Sequence, residues 1–446
     1  MIIHYKITIG FLFLVDMEQA SVFGLSLAYL QSQGSSPLKQ ALFLLALLAL
    51  AYAVSHLVIE RVSQRFGIVT GVEYILFGAI LGGIGSLDTE MAYRFRPLIF
   101  LGIGTLGLLT GLRLNLRQFG RLDFEALRVA AVISFVTLLL VSALPAAVLF
   151  AAGKRELLVT ILPALLCIGA VSMVATPKSI ASLIEFMKAE GESALLVVSV
   201  AKFCASFAVI VFGLIFCFFN PRESPVTSSF GFWQWMGVHL LLGTVLGTIF
   251  AMFLRKGFSQ EKTLTVVLGM VVFSSGLAYY LQLSPILVNA VLGLVLINTC
   301  SQGEEVEQML SSIERPLCIV LFVFAGVSWN FVHRWWSFWL FAPYLLLRYI
   351  GRGLGGAVAS FGSLLDKRLP GMGRALLAPG GLSVAMILNF DAVYGQTLYG
   401  PAVYTTLLLG VIISDVLSYS RTRSWLIDAT GVRLEKNLEK PSEELV

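Results

Sequence analysis

Apolar residues run along this chain in long blocks, broken by short connections rich in charge, glycine or proline. A helix needs roughly 20 mostly apolar residues to cross a bilayer, and in lipid only helices and closed barrels satisfy their own backbone. The blocks predict thirteen helical spans, with no barrel-like alternation between them. The first seven run from Leu38 to Ile59, Ile68 to Ile84, Pro97 to Leu112, Leu127 to Phe150, Leu157 to Phe186, Leu195 to Phe219 and Phe232 to Leu254. The other six run from Leu264 to Leu281, Pro285 to Ile297, Pro316 to Val332, Trp336 to Phe361, Ala375 to Leu388 and Val403 to Leu417. Residues 1–37 form an N-terminal extension: a leader, a peripheral helix or an upstream addition before Met17. The membrane domain is expected over 38–428, followed by a short tail over 429–446.

Two spans are interrupted. The fifth contains "SMVATPKSIASL", where Pro177 removes a backbone donor beside Ala175, and the hydroxyls of Ser172 and Thr176 stand ready for the freed carbonyls. The twelfth contains "ALLAPGGLSVAM", with Pro379, Gly380 and Gly381 at its middle. Seven spans separate them, an odd number, so they cross the membrane in opposite directions. That pairing predicts two inverted-topology repeats whose broken helices cross near the midplane, their exposed termini forming a binding site. Two ordinary proline kinks are the plainer alternative.

Composition agrees with the pattern: 57% of residues are hydrophobic and 13% charged. Short loops after odd-numbered spans hold 14 Arg or Lys against 6 after even-numbered spans. The positive-inside rule therefore puts the C-terminus in the cytoplasm and the N-terminus outside. Five cysteines lie in or at the ends of apolar segments without C-x-x-C spacing, and four histidines are scattered. They predict neither disulfides nor metal ligands. No activated nucleophile, metal cluster or phosphate loop appears, so neither an enzyme nor a cofactor is expected. The net charge of +5 needs no nucleic-acid partner.

Charges inside spans are costly, by roughly 2.5–3.5 kcal/mol or more at the bilayer centre, so each is a functional candidate. Lys202 sits within "LLVVSVAKFCASFAVIVF". Helical offsets put Ser199, Ala205 and Ser206 on its face, with Val198 beside them, while Phe203, Phe207, Ile210 and Leu214 lie about 100° away. Small and polar neighbours point the lysine into the protein, as a proton carrier or as a strut beside an acid. Candidate counter-charges are Glu73 in the second span and Asp415 in the last. Arg348 and Arg352, four apart in "LLLRYIGRGLGG", add fixed positive charge on one helix face, unless Arg352 snorkels to an interface. Lys178 and Glu185 are expected near a cytoplasmic exit, and Glu304, Glu305, Glu307 and Asp391 in loops.

The succession of "GVEYILFGAILGG", "PLIFLGIGTLGLLTGLRLNL", "ATPKS", "VVFSSGLAYYLQLSPILVNAVLGLVLIN", "RPLCIVLFVFAGVSWN", "RYIGRGLGG" and "APGGLS" resembles the monovalent cation:proton antiporter superfamily, specifically its second cation/proton antiporter family, from about Leu38 to Asp428. The resemblance implies a dimerisation domain, a mobile core domain with elevator-like alternating access, a homodimer in a bacterial inner membrane, and a small inorganic ion and a proton as partners. The family's basic residue before the second broken span falls on Arg352 or Arg348. Its ion-binding acidic pair falls on Lys202 and Phe203, or, in a shifted register, on Cys204, Ala205 or Ser206; no register offers a carboxylate. Three expectations follow: a cation:proton antiporter with atypical coupling through Lys202, an anion transporter on the same fold, or a non-transporting sensor or partner subunit.

Overall fold

In the computed structural model the described residues are 71–83, 96–219, 231–255, 260–281, 283–329, 338–360 and 371–430. The N-terminal extension, the first expected span Leu38–Ile59 and the tail from 431 onward lie outside them. The described residues are almost entirely helical, and no strand occurs among them. In chain order the helices are α1 Val72–Gly83, α2 Arg96–Leu112, α3 Arg121–Ala151, α4 Arg155–Ser172, α5 Pro177–Met187, α6 Glu192–Phe218 and α7 Phe232–Leu254. They continue with α8 Gln260–Tyr280, α9 Pro285–Thr299, α10 Gly303–Val327, α11 Phe338–Ser360, the single turn α12 Met372–Ala375, α13 Gly380–Tyr394 and α14 Gly400–Thr430. Seven helical stretches among the described residues are long and apolar enough to span a membrane. Large apolar side chains such as Val159 and Trp233, 71% and 74% exposed, face outward as lipid contact requires. The protein is an all-α polytopic membrane protein.

The proline positions explain the local irregularities. Pro145 lacks the N–H that would continue α3, and a π-helical turn over Leu139–Ala143 absorbs the mismatch immediately before it. Pro177 opens α5, where its missing donor has no partner to lose. Three helix boundaries among those expected differ notably from the sequence expectation. The tenth span begins at Gly303 rather than near Pro316, which lies inside α10, so Glu304, Glu305 and Glu307 are helical rather than loop residues. Asp391 likewise belongs to α13. The last helix continues past Leu417 to Thr430.

The helices pack as two groups. In one, α2 packs against α9, α10 against α1, α7 against α9, and α8 against α2. Glycines let these backbones touch: a Cβ on Gly111 would lie 2.0 Å from the Ala290 carbonyl oxygen, and one on Gly326 would lie 2.1 Å from that of Ile75. In the other group, α3 packs against α6 and α11, α4 against α6, α11 against α12 and α14, and α13 against α14. Helices α6, α10 and α13 also reach across between the groups, contacting α9, α13 and α2 respectively.

Candidate functional site

The two interruptions meet. The Thr176 N–H donates to the Ala378 carbonyl at 2.9 Å, and the Thr176 hydroxyl donates to the Pro379 carbonyl at 2.8 Å. Gly380 opens α13 with φ +59°, and a Cβ there would lie 2.1 Å from Thr176 Oγ1, so both backbone conformation and space demand glycine. Ser172, Ala175 and Ser383 are fully buried around the crossing. The Ser172 hydroxyl donates to Gly169 and that of Ser383 to Pro379, each satisfying a carbonyl near a break.

Arg348 and Arg352 reach this crossing from α11, and both are fully buried. Arg352 donates to the carbonyls of Ser172 at 3.1 Å and Val174 at 2.8 Å, and its other terminal nitrogen lies 3.8 Å from the Cys204 sulfur. Arg348 donates to the Val174 and Leu377 carbonyls at 3.2 and 3.4 Å and to the Ser414 hydroxyl at 3.1 Å. Broken helices expose negatively polarised carbonyls where α4 and α12 end, and two fixed cations placed there compensate both ends at once. Arg352 does not snorkel away; it is anchored at the break.

Lys202 is elsewhere on α6. Two residues from Cys204 is about 200° of helix rotation, so the lysine points away from the arginines. It lines a cavity of about 320 Å³ together with Val198, Pro177, Leu112, Arg113, Asn115, Glu304, Glu307 and Gln308. Asp123 and Glu307 are the acidic charges acting on its ammonium, opposed by Arg113. Neither Glu73, on α1, nor Asp415 lines this cavity. Asp415, buried on α14, adjoins the Ser414 that holds Arg348. Phe203 packs its ring 5.5 Å from that of Phe119 and lies under the Lys202 ammonium, 5.9 Å from the ring centroid, while the Ser206 hydroxyl donates to the Lys202 carbonyl within α6. Ser199 is half-buried.

Beside the cavity lies a three-membered ion network. Buried Glu314 accepts from Arg113 at 2.8 Å and stands 3.3 Å from the Lys178 ammonium, which also donates to the Ser311 carbonyl at 3.0 Å. Lys178 follows the first break, whereas Arg113 and Glu314 belong to the other helix group, so the network ties the two groups together. The cavity spans the same boundary: Pro177, Val198 and Lys202 on one side, the α2 end and α10 on the other.

Sequence reasoning missed Glu304, Glu307, Arg113 and Asn115 as neighbours of Lys202, and Glu314 as the partner of Arg113 and Lys178. For the glutamates a signal existed: Val306 and Leu310, four apart and both fully buried, give "EEVEQMLSSIE" an amphipathic helical period.

A helical bundle in which two interrupted, oppositely directed helices are pinned to each other at their breaks defines a polytopic protein of the transporter class. The sequence matches the profile of the family "Sodium/hydrogen exchanger, transmembrane" over residues 47–420, and the chain belongs to that family. Among solved structures it is similar to the sodium proton antiporter MjNhaP1 from Methanocaldococcus jannaschii at pH 8, with a TM-score of 0.67 at 14% identity, covering 88% of this chain and 99% of that one. An electron-microscopy structure of the same archaeal antiporter gives 0.62 at 15% identity, covering 89% and 99%. At these identities the likeness is one of fold. No curated protein matches the chain significantly in sequence.

Proposed function

We propose that this chain is a monovalent cation:proton antiporter in which the Lys202 ammonium and the transported cation compete for one cavity. The observation that carries the reading is the company Lys202 keeps: Glu304 and Glu307 beside the amide oxygens of Asn115 and Gln308. Carboxylate and amide oxygens are the ligands a hard cation takes. A protonated Lys202 satisfies those acids itself, whereas a neutral Lys202 leaves their charge to a cation. Two unit charges about 5 Å apart, in surroundings of effective dielectric about 20, repel by about 3 kcal/mol, a factor of over 100 in affinity. Cation binding therefore expels the lysine proton and proton binding expels the cation, which gives one-for-one exchange.

The crossing, in this reading, is a rigid support rather than the cation site. The Ser172 and Val174 carbonyls that would coordinate an ion there already receive Arg352. Helices α3 to α6 and α11 to α14 act as the mobile core; α1, α2 and α7 to α10 act as the dimerisation scaffold of a homodimer, with an elevator-type step between them. The C-terminus is cytoplasmic and the N-terminus outside, as the loop charges require, and the Lys202 cavity opens inward, beside Arg113 and Arg117.

Reconstituted proteoliposomes under an imposed pH gradient test the proposal. Addition of sodium, lithium or potassium dissipates the gradient in wild type and fails to do so in Lys202→Gln. Anion-dependent charge movement would replace this reading with anion transport, and absence of substrate-dependent flux would replace it with a non-transporting role.

A further inference from the structure

A second cationic feature lies on the membrane-facing side of the bundle, away from the ion cavity. Tyr349 of α11 has two guanidinium groups against its ring, Arg374 from the single turn α12 and Arg421 on α14, each 5.5 Å from the ring centroid. Both arginines are exposed and Tyr349 is half-buried. Among the described residues, neither guanidinium forms an ion pair with a carboxylate. Two like charges on one ring repel each other, and the ring offsets only part of that cost, about 0.5–1 kcal/mol per exposed contact. The arrangement is complementary to an anion that accepts from both guanidiniums.

The surroundings specify the rest of the ligand. Leu346, Ile350 and Leu354 form an exposed apolar stripe on α11 alongside Tyr349, between 39% and 59% exposed. On α14 the exposed face changes character within one turn, from Val416 and Leu417 to Ser420, Arg421 and Ser424. A change from apolar to polar exposure marks the level where acyl chains give way to headgroups. Arginine is suited to phosphate because its planar fork presents paired donors.

We infer that Arg374, Tyr349 and Arg421 form a binding site for the phosphodiester of an anionic phospholipid, with its acyl chains along the Leu346–Leu354 stripe. The site joins three helices, α11, α12 and α14, that carry the arginine pair and the second break. Lipid bound there tethers them at one point on the bundle surface.

The test is native mass spectrometry of the purified full-length protein, titrated with phosphatidylglycerol, with phosphatidylcholine of the same acyl chains, and with inorganic phosphate. Phosphatidylglycerol is expected to be retained in preference to phosphatidylcholine. Arg374→Gln and Arg421→Gln each weaken its retention about fivefold and together about 25-fold, taking about 1 kcal/mol for each basic residue near the headgroups. Arg423→Gln, two residues along α14 and not against the ring, changes it less than twofold. Equal retention of the two lipids would overturn the proposal, and this comparison in wild type needs no variant to fold. Inorganic phosphate competing at the lipid's own concentration would overturn it in favour of a free anion, and an Arg423→Gln loss matching that of Arg421→Gln would overturn it in favour of diffuse surface charge.

Discussion

Replacing Arg352 by leucine removes the two hydrogen bonds that hold the end of α4, to Ser172 at 3.1 Å and Val174 at 2.8 Å. A bond from a charged donor is worth about 1.5–3 kcal/mol in a water-soluble fold, but nearer 0.6 and at most about 1.7 inside membrane bundles. The Ser172 carbonyl has no substitute donor, because the Thr176 N–H that a continuous helix would offer it goes to Ala378. An orphaned buried carbonyl adds about 1–3 kcal/mol, so a loss of about 3 kcal/mol is expected. At about 2 °C per kcal/mol, the lower end of the range for large domains, apparent Tm falls by roughly 6 °C. The sharper expectation concerns the pair. Val174 accepts from both arginines, so either single variant leaves its carbonyl satisfied and only the double variant orphans it. Each single variant also relieves the repulsion between two buried cations, a relief the double variant gains only once. Arg348→Leu/Arg352→Leu must therefore lose more than the sum of its parts, by about 1–3 kcal/mol. Thermal unfolding in detergent, followed by tryptophan fluorescence across the four members of the cycle, reads this directly. Additive losses, or a single variant within 1 °C of wild type, would refute the view that the arginines jointly hold the breaks.

Three further outcomes are expected. Glu314→Gln removes the charge shared by Arg113 and Lys178; the Arg113 arm costs about 2 kcal/mol, while Lys178, whose side chain is 41% exposed, contributes less than about 1 kcal/mol. Unfolding at low and high salt checks it, with the gap between wild type and variant narrowing as salt rises. Gly380→Ala forces a left-handed residue at φ +59° and a clash with Thr176, costing at least about 2 kcal/mol, whereas Gly269→Ala, inside α8 with nothing within 4 Å, does not lower Tm. Cation binding measured by calorimetry tightens as pH rises in wild type, because only the neutral amine vacates the cavity, and that pH dependence flattens in Lys202→Gln.

The helix order and the positions of both breaks were legible from hydropathy and from proline and glycine placement, since these are local properties of the chain, whereas for Arg352 the sequence left snorkelling to an interface open. The surroundings of Lys202 were not legible. Asn115, in the connection after α2, and Glu304 and Glu307, on α10, approach it from about ninety to a hundred residues away, and nothing in "LLVVSVAKFCASF" encodes that approach. Treating Pro316 as a helix start hid the glutamates, because a proline inside a membrane helix is tolerated when neighbouring helices supply the packing. The register between Lys202 and Cys204 was equally beyond sequence: both lie on α6, and only the packing of α6 against α3 and α4 decides that Cys204, not Lys202, meets Arg352.

Competition between a cation and the Lys202 proton is the centre of the account, and the most direct measurement is simultaneous recording of cation and proton flux in proteoliposomes bearing wild type or Lys202→Gln. Coupled, opposite fluxes are expected in wild type, one cation for each proton and insensitive to membrane potential, with proton movement lost in the variant. Undiminished cation-dependent proton flux in Lys202→Gln would contradict it.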